Sequence, residues 1–225
     1  MARRYVIKQD SAPSAPISGI DYHATLNEEQ YAAVSSAPGA ALVIAGAGSG
    51  KTRTLTYRVA WLLDHGTDPW NILLLTFTNK AAREMTERVR ALIPIDLSRL
   101  WSGTFHSIAN RILRQHADYL GYTPAFTIMD SDDRKSMIKN IVKTLKLDEK
   151  SSRFPKPEVL SSLFSLADNE GAGIQETLEN AYPYLSNHLD AILDVHEQYV
   201  LRKQETNSMD FDDLLLNVVR LFQEQ

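Results

Sequence analysis

The eight residues AGAGSGKT (45–52) stand between an apolar run, ALVIA (41–45), and a stretch, 51–65, that places Leu55, Val59, Leu62 and Leu63 on one helical face. A buried strand, a glycine-rich turn and a helix are predicted in that order. Gly46, Gly48 and Gly50 let backbone N–H groups turn inward around an anion. The helix beginning near Lys51 directs the positive end of its dipole at the same point. The pattern is that of the phosphate loop G-x-x-x-x-G-K-[ST], with Ala45 in the first position. On this reading Ala45, Gly46, Ala47, Gly48, Ser49 and Gly50 surround the phosphates of ATP. Lys51 lies against the β and γ phosphates, and Thr52 ligates magnesium.

The neighbouring segments extend the pattern. ILLLT (72–76) and LWSGT (100–104) read as two more strands. A helix from Asn79, as cap, to about Leu92 separates them, and another runs to about Tyr119. Alternating strands and helices indicate a parallel sheet in an α/β domain. Upstream, Thr25 and Glu28 form a predicted capping box for a helix ending near Val34. Gln30 lies on that helix. Its amide suits an adenine edge, which presents both a donor and an acceptor, but a surface glutamine is the simpler reading. Arg53 either flanks the base or ribose or faces solvent.

Two strand ends carry further candidates. TFTNKAA (76–82) sits where a strand gives way to a helix, the edge at which open α/β sheets bind ligands. Phe77 suits stacking on a base, and Thr78, Asn79 and Lys80 suit a phosphate. The competing reading is a core phenylalanine followed by an asparagine cap. GTFHS (103–107) repeats the layout, with Thr104 and His106 as its polar candidates. His106 is not read as a general base.

Beyond Gly121 the pattern becomes helical. Asp130 caps a predicted helix ending near Leu147, SSRFPKPEVL (151–160) restarts the chain, and Gly171 stops the next helix. A long helix covers about 185–205, and one more runs from Met209 to Phe222. No strand pair is predicted here. Residues 116–206 therefore read as an all-helical region inserted into an α/β domain made of 25–115 and 207–225. Residues 1–24 read as a flexible tail. The acidic clusters at 130–133 and 210–213 each open a helix and are read as caps rather than metal sites.

The 225 residues carry a net charge of -4, so nucleic-acid binding would have to come from a local patch. Between Ile72 and His116 there are seven Lys/Arg (Lys80, Arg83, Arg88, Arg90, Arg99, Arg111, Arg114) against three acids (Glu84, Glu87, Asp96). No window reaches the roughly eighteen apolar residues of a membrane span. No secretory signal is read, and the lack of cysteine excludes disulfides. Both features fit the cytoplasm.

Taken together, LNEEQ (26–30), AGAGSGKTRTL (45–55), LLLTFTNKAAREMTERV (73–89), GTFHSIANRILR (103–114) and MDFDDLL (209–215) resemble the UvrD/Rep/PcrA family of superfamily 1 DNA helicases. The resemblance covers the chain beyond its tail. It implies a RecA-like P-loop NTPase sheet, incomplete here, with 116–206 as an inserted helical subdomain that touches duplex DNA. It makes Gln30 similar to the adenine-reading glutamine. Phe77, Thr78, Asn79 and Lys80 resemble one single-stranded DNA motif, and Thr104, Phe105, His106 and Ser107 a second. The family couples ATP hydrolysis to movement along single-stranded DNA, usually 3′ to 5′, and unwinds duplex at single/double-strand junctions. An apolar strand ending in Asp-Glu follows in that family, with a second motor domain beyond it; neither pattern is found in these residues. The expectation is an N-terminal piece with little or no ATPase activity of its own. A self-contained P-loop kinase or other soluble NTPase is the alternative, and a non-catalytic adaptor a third reading.

Overall fold

The computed structural model describes residues 17–147 and 154–224. The predicted tail over 1–16 and the start of the predicted restart at 151–153 lie outside the described residues. The chain divides into two compact units, Met1–Phe105 and His106–Gln225.

The first unit is built around β1 (Leu73–Thr76) and β2 (Trp101–Thr104), which pair in parallel, Leu73 opposite Trp101 and Thr76 opposite Thr104. A parallel pair needs a crossover, and α4 (Asn79–Leu92) supplies it. Before them come α1 (Tyr22–Thr25), α2 (Glu28–Ser35) and α3 (Lys51–Asp64). Val59 and Leu63 of α3, Met85 and Val89 of α4 and Leu74 of β1 share a core with Tyr22, Leu26 and Val34.

Four expectations change here. The run 41–45 is not a strand. Leu42 and Ile44 are 87% and 89% exposed. A strand exists only where a neighbour takes up its N–H and C=O groups, and among the described residues no strand flanks this run. The cap of α2 is Asn27, whose side chain accepts from the Gln30 amide, rather than Thr25. Thr78, rather than Asn79, caps α4 by accepting from the Ala81 amide at 3.1 Å. Residues 17–24, expected to belong to a tail, are pinned. Asp64 accepts from the Ser18 amide at 2.7 Å, from the Ser18 hydroxyl at 2.6 Å and from the Tyr22 hydroxyl at 3.0 Å.

The second unit is mainly helical: α5 (Phe105–His116), whose first residue belongs to the first unit, then α6 (Ser131–Thr144), α7 (Pro157–Glu170), α8 (Ile174–Ala181), α9 (Leu189–Glu205) and α10 (Phe211–Glu224). Leu160, Leu163, Phe164 and Ala167 follow helical spacing and bury one face of α7 against Ile138 and Val142 of α6 and Ile192 and Val195 of α9. A second core joins Ala109 and Leu113 to Leu214 and Leu221. Residues 211–224 thus pack with the helical unit. The Asp130 cluster is a capping box: Asp130 accepts from the Asp132 and Asp133 amides, and Asp133 accepts from Asp130. Gly171 ends α7 with φ 63°, as predicted. One feature was not predicted, a short parallel pair of β3 (Thr127–Ile128) with β4 (Ser208–Met209).

Candidate nucleotide and nucleic-acid sites

The phosphate loop is exposed and folded around its own lysine. Gly48 and Gly50 take φ 78° and 83°, left-handed values that favour glycine, whereas Gly46 does not. Ser49 closes a turn by donating its hydroxyl to the Gly46 carbonyl at 2.7 Å. Lys51 Nζ donates to the carbonyls of Gly46 at 2.7 Å and Ala45 at 3.1 Å. Its ammonium is therefore tethered at the loop while the residue stays exposed. Thr52 is exposed in the first turn of α3. One hydroxyl ligand fits magnesium, which keeps several waters and takes its remaining oxygens from phosphates.

Gln30 and Arg53 are brought to this loop. Gln30 Nε2 donates to the Ser49 carbonyl at 3.1 Å, while its Oε1 accepts from the Asn27 amide at 3.4 Å. Arg53 donates to the Thr25 carbonyl at 3.0 Å and lies 5.1 Å from the Tyr57 ring centre, so it is tied to protein rather than free in solvent. Ala47 is exposed in the same loop.

Phe77 is 92% exposed, which excludes the core-phenylalanine reading. Its ring lies 5.9 Å from that of Phe105, also exposed, beyond the end of β2. Thr78 Oγ1 is occupied as the α4 cap, whereas Lys80 projects from the first turn of α4, 4.0 Å from Glu84. In the second unit His106 is half-buried and Ser107 exposed. The His106 ring meets Phe211 edge-on at 5.7 Å, and Phe211 is 52% exposed. Phe211 was not singled out from the sequence. It lies in the MDFDDLL stretch, an aromatic set among acids where a helix begins.

The basic count overstates the free charge. Arg114 donates to the carbonyls of Pro124 and Phe126, both at 2.6 Å, and stacks 3.7 Å from the Phe126 ring. Arg99 pairs with Asp68 at 3.4 Å. Both serve the fold.

The Asp210 cluster is a buried charge network. Asp210 accepts from the Tyr199 hydroxyl at 2.7 Å and from Lys203 at 3.2 Å, and it exchanges capping bonds with Asp213, each 2.9 Å. Burial alone would raise its carboxyl, but Lys203 and Arg134, with the Tyr199 hydroxyl, hold it below the usual range. Among the described residues no group of His, Asp and Glu is placed to hold a metal ion, and no helix is long and apolar enough to cross a membrane.

Comparison with known proteins gives the family. PcrA proteins described as ATP-dependent DNA helicases, from Staphylococcus aureus and Staphylococcus epidermidis, are each 40% identical to this chain over 199 residues, 88% of its length. The chain spans 26% of the length of these relatives. The model of the UvrD/REP helicase N-terminal domain matches residues 26–225, and the chain belongs to that family.

Proposed function

We propose that this chain is the N-terminal part of an ATP-dependent DNA helicase or translocase that tracks 3′ to 5′ along single-stranded DNA. Residues 25–115 and 207–225 belong to its RecA-like P-loop motor domain, and 116–206 form the inserted helical subdomain. The loop 45–52 holds the phosphates of ATP, with Lys51 moving from its carbonyls to the β and γ oxygens and Thr52 supplying a magnesium ligand. Gln30 and Arg53 face the base and ribose.

Phe77, Thr78, Asn79, Lys80, Thr104 and Phe105 contact single-stranded DNA from the first unit, and His106, Ser107 and Phe211 from the second. Rings stack on any base, and the basic side chains follow the phosphates. The observation that carries this reading is Phe77, a ring left 92% exposed at a strand end beside Phe105. A small-molecule kinase has no use for such a ring. The chain acts on single/double-strand junctions in the cytoplasm, with a C-terminal motor domain as partner in the same protein. On its own it turns over little ATP.

Fluorescence anisotropy with labelled oligo(dT) tests the reading. Binding should weaken as salt rises, and Phe77→Ala should weaken it about tenfold. No binding at low salt would favour a self-contained NTPase.

A further inference from the structure

Phe211 is held by its neighbours in sequence. Asp210 and Asp212 flank it, and both are tied to other helices. Asp210 receives Tyr199 and Lys203 of α9. Asp212 receives Arg134 of α6 at 2.6 Å, Ser165 of α7 at 2.7 Å and Asn169 of α7 at 3.4 Å. Arg134 also reaches Asp210 at 3.8 Å, so this one guanidinium touches both carboxylates.

Stability alone is a poor reason for this arrangement. Arg134 is 7% exposed, and its Nε and Nη2 have no hydrogen-bond partner among the described residues. A buried ion pair left partly unsatisfied is often matched or bettered by apolar side chains of the same volume. What it does supply is a fixed geometry. The first turn of α10 cannot rotate without breaking bonds to α6, α7 and α9.

We propose that Arg134 is a positioning residue for Phe211: by gripping Asp212 and Asp210 it sets the angle at which the ring meets DNA. This rests on the reading of Phe211 as a DNA contact.

The test is a double-mutant cycle on oligo(dT) affinity in the full 225-residue chain, with Phe211→Ala, Arg134→Met and both together, at a temperature where circular dichroism shows each variant folded. Phe211→Ala should weaken binding about tenfold. Arg134→Met should cause a loss of similar size, and the double variant little more. Arg134→Lys, which keeps the charge, should recover part of it. Should Arg134→Met fold poorly, Ser165→Ala removes one donor to Asp212 and leaves Arg134 in place, and a loss of about twofold to threefold is expected. Unchanged affinity in Arg134→Met, or in Ser165→Ala where Arg134→Met does not fold, with Phe211→Ala still impaired, would overturn the inference alone. Unchanged affinity in Phe211→Ala would overturn the DNA reading of that ring and the inference with it.

Discussion

The side-chain amide of Gln30 joins the start of α2 to the phosphate loop, donating from Nε2 to the Ser49 carbonyl at 3.1 Å and accepting at Oε1 from the Asn27 amide. One side chain thus bonds both the loop and the start of the helix. Gln30→Ala should cost about 1 kcal/mol of stability through the lost capping bond. It should also erase any preference for ATP over GTP. Thermal melts and nucleotide competition check the two effects separately.

Gly50 sets the turn into α3. Its φ is 83°, and an added Cβ would meet Gln30 Nε2 at 2.8 Å. Gly50→Ala should therefore cost about 1–3 kcal/mol in backbone strain and displace Gln30. Nucleotide affinity should fall along with the melting temperature. An alanine variant that binds ATP normally would show that the loop tolerates another turn.

Asp64 anchors residues 18–22. Burial alone would raise its carboxyl, but the Ser18 hydroxyl and amide and the Tyr22 hydroxyl hold it below the usual range. With the folded value below the unfolded one, its stabilisation is present above about pH 4 and is lost as pH falls through the folded value. Asp64→Ala should cost about 2–3 kcal/mol, since it removes bonds to a charged group and leaves the Tyr22 hydroxyl buried. Its melting curve should depend less on pH in the acid range than that of the unmodified chain.

Asp168 behaves in the opposite sense. Burial, followed by the Asp210, Asp213 and Asp212 carboxylates and partly offset by Lys203, pushes it up to about 6. A carboxyl raised on folding favours the folded state at low pH, and that benefit is lost as pH rises from about 4 to about 6. Asp168→Asn should stabilise the chain at pH 7.5 by about 1 kcal/mol once solvent screening is allowed for. Melting temperatures across that range give the sign directly.

Turnover should be little or none. Asp210 follows β4, as a magnesium-binding aspartate would follow a strand, but Tyr199 and Lys203 already occupy its carboxylate. Phosphate release with magnesium and oligo(dT) should not exceed that of Lys51→Ala. Turnover abolished by that substitution would show that these residues supply their own water-positioning group.

Local pattern made much of this legible. The strands at 73–76 and 101–104, the helices around them and the Gly171 stop follow from periodicity and glycine placement. The run 41–45 misled because a strand depends on a neighbour, and no local signal reports one. The cap of α2 misled because Thr25 with Glu28 and Asn27 with Gln30 offer the same spacing. Phe211 and its clasp were hidden for a different reason. Arg134 and Asp212 are 78 residues apart, and only folding brings them together. Arg114 looked like free charge until its two carbonyl partners were in place.

The phosphate loop is the centre of the account. Equilibrium binding of a fluorescent ATP analogue, with magnesium, to this chain and to Lys51→Ala tests it most directly. The account predicts saturable binding that Lys51→Ala weakens at least about tenfold, the loss expected of a charge-assisted phosphate contact. Equal binding by the two proteins would contradict it.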